Sequence, residues 1–306
     1  MNPSITADRR LNPAPVICGS LCGSERPCVS NQSFSGERPL FGSRGMRFEN
    51  IEVTDGESAL KECADLEVVN SRFAGKYPLW HTHGFTVRDC LFKPGARAAL
   101  WYSDHLLMSD CRVEAPKMFR DMHDLSLERV NLTDAQETLW HCRGVRLKDV
   151  EAVHGDYLAM YSTDIEAGNL KLDGNYAFQY CRHVRLKDCI LNSKDAFWEA
   201  EEVVAENCEI NGEYLAWHSR RAVFRNCRIS GTQPLCYAHD LVLENCTFAP
   251  DADLAFEYSS VHATIKGDVV SVKNPLSGEI RAGHIGTIIL DEHLREPGDC
   301  RIISER

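Results

Sequence analysis

The chain predicts an all-β protein, a single-stranded right-handed parallel β-helix (a solenoid) with coils of about 19–21 residues, on three observations. An Asn or Asp precedes a Cys in KDCIL (187–191), ENCEI (206–210), RNCRI (225–229) and ENCTF (244–248), a step of 19 residues each time. A second apolar position recurs at a similar interval. Between the two lie only short apolar runs punctuated by Gly, Asn, Asp or Pro, with no amphipathic helical stretch. A strand–turn unit that cannot bury its own apolar face must stack on its neighbours, which is the logic of a solenoid. Parallel crossovers are overwhelmingly right-handed, and the irregular step is not the multiple of six expected of left-handed hexapeptide helices.

Taken in order, residues 1–30 are rich in Pro, Ser, Gly and Asn and read as a flexible N-terminal tail. Arg9 and Arg10 ahead of LNPAPVICGSLCG outline a secretion signal, but two prolines interrupt a very short apolar stretch, so no cleaved signal is expected. Cys18, Cys22 and Cys28 lack regular metal-finger spacing. The β-helix domain is expected over residues 31–290. Its main column runs Ile51, Ser71, Cys90, Cys111, Val130, Val150, Asn169, Cys189, Cys208, Cys227, Cys246 and Ile265. The residue before each is mostly Asn or Asp, a turn former whose side chains, stacked coil on coil, would make a hydrogen-bonded row. Phe48, Val68 and Val87 three places before the column, and Val53, Phe73 and Phe92 two after it, are inward positions on either side of a bend.

The second run opens at Ala59, Leu79, Leu100, Phe119, Leu139, Leu158, Ala177, Ala196, Leu215, Leu235 and Leu254. About eleven or twelve coils stacked at ~4.8 Å would make a rod roughly 50–60 Å long. Lys273 to Leu290, interrupted at Pro275, is expected to break the coil and cover one open end. Residues 291–306 read as a loose C-terminal tail.

A net charge of -11 with no basic stripe argues against nucleic acid and anionic membranes, and no apolar run approaches bilayer-spanning length. Six of the fourteen cysteines fall in the main column, where a small buried side chain repeated per coil explains them. Thiols in a line along the axis cannot surround one ion, so no metal and no cofactor is expected, and reduced thiols fit a cytoplasmic address.

YPLWHTHG (77–84), RAALWYSDH (97–105), KDAFWEAEEVV (194–204), GEYLAWHS (212–219), GTQPLCYAHDL (231–241) and DADLAFEYSSVHATI (251–265) resemble an uncharacterised family of bacterial β-helix proteins, a domain of unknown function. The resemblance covers about residues 31–290, implies the same fold and carries no activity or catalytic residue. More distantly the coil is similar to the pectin-lyase-like superfamily, whose members mostly bind or cleave acidic polysaccharides.

Function is sought in the second run, whose later positions are neither uniformly apolar nor uniformly solvated. Successive coils read Trp80-His81-Thr82-His83, Trp101-Tyr102-Ser103-Asp104, Arg120-Asp121-Met122-His123 and Trp140-His141-Cys142-Arg143. Aromatic faces with a few orienting polar groups suit a linear glycan, so the expected ligand is an oligo- or polysaccharide held by Trp80, His81, His83, Trp101, Tyr102, Arg120, Trp140 and His141. For hydrolysis the candidates are Asp104 and Asp121, one coil apart, with His123 or His81 tuning a proton. Arg120 or Arg143 would serve as base in a lyase, but the acidic cluster for Ca²⁺ is thin. A metal on His81, His83 and His123 is not favoured. The alternative is a non-catalytic scaffold or protein-interaction module whose rod presents a surface to another protein, the aromatics then forming interior stacks. Which positions face outward is not readable from the period, because a turn after the first apolar residue inverts the parity.

Overall fold

The computed structural model describes residues 26–292 and 298–306, wound as a right-handed parallel β-helix of about 14 coils. Each regular coil has a six-residue strand, such as Ala64–Val69, His83–Arg88 or Asp104–Ser109, that pairs in parallel with the coil before and after to form a long sheet. Strands of two or three residues, such as Arg72–Phe73 and Ile190–Asn192, form a short sheet. A run of turns closes the third side. There is no α-helix among the described residues, hence none long and apolar enough to cross a membrane.

Alternation in the long strand decides what is inside. Leu66, Phe85, Leu106 and Leu125 make one buried row and Val68, Val87, Met108 and Leu127 a second, each residue beside its equivalent in the next coil. Phe73 and Phe92 stack at 4.9 Å between centroids on the short sheet, and Phe178 and Phe197 at 5.4 Å on the third side. An open-ended unit thereby acquires a continuous core, each coil removing from water the apolar surface of the next.

The bend between the sheets explains the Asn/Asp–Cys phrase. Asn50, Asn70, Asp89 and Asp188 take left-handed backbone angles (φ 53°, 47°, 55° and 55°), which these short polar side chains tolerate. Their side chains form the expected ladder, with Asn207 Nδ2 donating to Asp188 at 3.2 Å and Asn226 Nδ2 to Asn207 at 3.3 Å. The next residue turns inward and serves the backbone. Cys111 Sγ accepts the Cys90 N–H at 3.4 Å and donates to the Ser109 carbonyl at 3.1 Å, and Ser71 occupies the same column because a hydroxyl does the same work. Cys189, Cys208, Cys227 and Cys246 are buried and free, lined up along the axis as expected. Cys28 is disulfide-bonded; Cys18 and Cys22 lie outside the described residues. One coil departs from the expected alignment. Asn169 (φ 53°) is the turn residue and Leu170 the buried one, because Asn rather than Gly168 takes the left-handed position and Gly168 ends the strand Thr163–Gly168.

The third side is not a strand. Alternate residues have positive φ, as at Tyr77, Leu79 and His81 or Tyr176, Phe178 and Tyr180. No Val, Ile or Thr takes positive φ among the described residues, as branching at Cβ would penalise it. N–H groups then point alternately to the coil on either side: Leu79 to the Ala59 carbonyl at 2.8 Å and His81 to the Trp101 carbonyl at 3.1 Å. Two neighbours such as Pro78 and Leu79 therefore face in, the next two face out and Thr82 returns inward. The stacked column is Leu60, Leu79, Leu100, Phe119, Leu139, Ala159, Phe178, Phe197, Ala216, Leu235 and Phe256, so the expected openings at Ala59, Leu158, Ala177, Ala196, Leu215 and Leu254 were set one or two places early. With two consecutive inward residues, either one satisfies an apolar pattern.

The ends also differ from expectation. Cys28–Ser30 already pairs with Arg47–Glu49. Lys273 to Leu290 does not break the stack: Ser260–Lys273 and Ser277–Ile289 pair in parallel, with Pro275 in the turn between them. Arg301–Ser304 pairs with Glu279–Ala282, because Ile302 finds the core edge beside Ile280.

Candidate functional site

The outward pairs of the third side make two adjacent rows along one edge of the rod. The inner row is Lys61, Trp80, Trp101, Arg120 and Trp140, continuing to Met160, Gln179, Trp198 and Trp217. Trp80 and Trp101 lie parallel at 5.3 Å, the Arg120 guanidinium stacks on Trp101 at 4.4 Å and approaches Trp140 at 5.1 Å, and the Lys61 ammonium lies 5.7 Å from Trp80. The Trp80 indole N–H donates to the Ala98 carbonyl at 2.5 Å and that of Trp101 to the Lys117 carbonyl at 2.7 Å, so the rings are pinned to the following coil. Both faces of Trp101 are covered. It offers a ligand its edge, not a platform.

The outer row is His81, Tyr102, Asp121, His141, Tyr161 and Tyr180, continuing to Glu199, His218 and Tyr237. His81 stacks on Tyr102 at 5.1 Å and Tyr161 on Tyr180 at 4.9 Å. Asp121 interrupts this ring stack, and its carboxylate bonds His141 Nδ1 at 2.5 Å, leaning toward the coil beyond and away from Tyr102. The face of Tyr102 turned from His81 consequently has no ring against it. A depression of about 720 Å³ opens there, bordered by Tyr102, Asp121, His141 and Tyr161, with Arg120 and Trp140 among its lining residues. Tyr102 and Tyr161 are 42% and 43% exposed. Arg120 Nε is buried with no hydrogen-bond partner among the described residues, a donor with unmet capacity beside the depression.

A third row starts the long-sheet strands: His83, Asp104, His123, Arg143, Thr163 and Arg182. His83 Nδ1 bonds Asp104 at 2.8 Å, and His123 stands between Asp104 and Arg143. None of the eleven residues singled out from the sequence is buried, so all reach the same edge. They are nevertheless not one cluster. Asp121, Trp140, His141, Arg120 and Tyr102 converge on the depression, whereas His83, Asp104 and His123 form a separate ladder at the sheet border. Asp104 and Asp121 each hold a different imidazole, and His81, His83 and His123 are spread over the two rows. The chemistry offered is hydrogen bonding, ring contact and cation contact.

Tyr161, Thr163, Tyr180 and Arg182 complete the lining. Thr163 and Arg182 were not singled out, and stacking the strand starts coil by coil beneath His83 and Asp104 would have found them. Arg143 and His183 clamp Asp164 beside this border at 3.1 and 2.9 Å; the bond from His183 chiefly holds its carboxyl below the usual range, burial opposes this and Arg143 reinforces it.

A family model described as "Protein of unknown function (DUF3737)" matches residues 27–303. Among solved structures the fold is similar to PfbA, a surface adhesin of Streptococcus pneumoniae, with a TM-score of 0.50 at 7% identity over 78% of this chain and 82% of that one. A tailspike of E. coli bacteriophage HK620 in complex with a pentasaccharide gives a TM-score of 0.28 at 7% identity over 90% of this chain and 57% of that one. The periplasmic alginate epimerase AlgG gives 0.25 at 8% identity over 90% and 76%. No curated protein matches the chain. At such identities the adhesin shows a shared fold alone, and the other two are too distant in shape to argue from.

Proposed function

From the premise that the chain belongs to the DUF3737 family of proteins of unknown function, we propose that it binds a linear oligo- or polysaccharide, with one sugar ring at the depression between Tyr102 and His141. The observation that carries this reading is the gap at Asp121. A ladder of rings stacked face to face shows solvent only edges, and one short residue in the row uncovers an aromatic face beside polar groups. An apolar ring face with convergent polar groups is how a sugar is held: C–H bonds pack on the ring, hydroxyls find partners. Asp121 and His141 supply an acceptor and a donor, and the Arg120 guanidinium, whose Nε has no hydrogen-bond partner among the described residues, adds a positive charge beside them. Binding without turnover is the function proposed, since Asp104 and Asp121 belong to separate His–Asp pairs.

The test is calorimetric titration of the protein and its Tyr102→Ala variant with glycans selected on an array. Tyr102→Ala should weaken binding by roughly 1–3 kcal/mol, on the scale of stacking a ring on an aromatic side chain. Unchanged affinity in that variant, or no glycan bound by the parent protein, overturns the reading.

A further inference from the structure

The strand that leaves the depression carries a charge pattern at odds with the rest of the chain. VRLKD occurs twice, at 145–149 and 184–188, in the coils on either side of one reading DIEAGN (164–169). The three strands involved, Arg143–Lys148, Thr163–Gly168 and Arg182–Lys187, are consecutive neighbours in the long sheet. They present Arg143, Arg146, Lys148, Arg182, Arg185 and Lys187 against Asp164 and Glu166, a local excess of four positive charges in a chain of net -11. The strands beyond, His123–Glu128 and Glu201–Glu206, are acidic.

The register turns these side chains into two rails. Arg146 and Arg185 flank Glu166, and Lys148 and Lys187 flank Gly168, each pair two strands or roughly 10 Å apart. Gly168 is the low point: a Cβ built there meets nothing within 4 Å, and its φ lies outside the left-handed region. Neither space nor conformation requires a glycine, so its effect is an open floor between cations. The notch measures about 650 Å³. Lys148 is engaged by Glu128 at 2.9 Å, whereas Arg146, Arg185 and Lys187 make no ion pair among the described residues. Thr163 and Arg182, which border the aromatic depression, begin the same two strands whose far ends form this notch.

We propose that the notch is an anion site for the carboxylate or sulfate groups of an acidic glycan, whose chain runs from the depression across the long sheet along the coil centred on Thr163–Gly168. The inference rests on the glycan reading above and adds the ligand's charge and its path. Guanidinium forks match the oxygens of carboxylate and sulfate groups, and a local positive field on an acidic protein draws an anion to this one place.

The experiment compares oligogalacturonates, heparin-derived oligosaccharides and neutral malto-oligosaccharides of equal length on the full chain at low and high salt. Either acidic series should bind at least about tenfold tighter than the neutral one at low salt, and the advantage should shrink with added salt; which series does so separates carboxylate from sulfate. Gly168→Glu fills and neutralises the notch, and Arg146→Gln with Arg185→Gln removes one cation from each rail. Both variants should keep the parent's melting temperature and neutral-sugar affinity while losing the acidic advantage. Acidic and neutral chains binding equally, both weakened by Tyr102→Ala, overturns the notch alone, as does an acidic advantage that survives both variants or equal competition by inorganic polyphosphate. Binding of no glycan, neutral or acidic, overturns the reading it rests on.

Discussion

Trp101 and Tyr102 are adjacent, aromatic and at the same edge, yet the structure gives them opposite roles. Trp101 is sandwiched by Trp80 and Arg120 and donates to the Lys117 carbonyl, so Trp101→Ala leaves a gap in the inner row and should cost roughly 3 kcal/mol of stability, the low end for removing a large aromatic. Tyr102→Ala should cost less stability and more affinity. Thermal melts and titrations on both variants check this crossed pattern, and a uniform loss in either column contradicts it. Asp195 provides a second residue-scale case. Burial pushes its carboxyl above the usual carboxylate range, opposed by Lys194 and aided by Glu213. A raised carboxyl favours the folded state in acid, fully below the unfolded value of about 3.9, and that contribution is lost as pH rises through the folded value. At neutral pH the buried charge is a burden. Asp195→Asn keeps a residue suited to φ 54° and should raise the melting temperature by a few degrees at pH 7, with the gain vanishing toward pH 3. A parent protein more stable than the variant at pH 7 would contradict the assignment.

At the scale of the coil, the corner between the short sheet and the third side depends on close backbone approach. Gly231 has φ +98°, and a Cβ there would lie 2.3 Å from the Gly212 carbonyl oxygen in the coil below. Gly231→Ala meets both a left-handed strain and a backbone clash that no side-chain rotation relieves. Unfolding in denaturant should show a loss of roughly 2–5 kcal/mol. Gly168→Ala, the glycine with open space, is the matched control and should be near neutral. Equal losses at the two positions would mean that the corner does not limit stacking.

At the scale of the whole rod, each coil is held by two neighbours and has no core of its own, so the described thiols should report the integrity of the stack. Burial pushes the Cys142 and Cys181 thiols up to about 12, and the Cys189 thiol is raised by its hydrogen bond with Cys208 and then by burial. Thiolate, not thiol, is alkylated; Cys246, whose thiol is lowered by its hydrogen bond with Cys227, is shielded by burial alone. Iodoacetamide followed by mass spectrometry should leave Cys142, Cys181, Cys189, Cys208, Cys227 and Cys246 unlabelled in the native protein, with Cys300, the described free thiol that is not buried, reacting first. The buried six should then label together with loss of the β signal. Fast native labelling of Cys208 or Cys227 would show that the solenoid opens locally.

The sequence by itself determined the coil period, the handedness, the inward rows of the long strand, the Asn/Asp ladder and the cysteine column. Each is a repeated local rule: burial selects an apolar side chain at one place per turn, and a left-handed bend selects Asn or Asp. It also named the edge that carries the candidate site, since a row of Trp, His, Tyr and Asp at one phase of the repeat is visible without coordinates. Only the tertiary structure decided which of those rings shows a face. That depends on what lies one coil above and below, on alternating backbone hand instead of strand pleat, and on whether a carboxylate leans toward His141 or toward Tyr102. The same holds for the notch at Gly168, whose cations Arg146, Lys148, Arg185 and Lys187 are separated by up to about 40 residues in sequence and become one surface only because stacked strands lie ~4.8 Å apart.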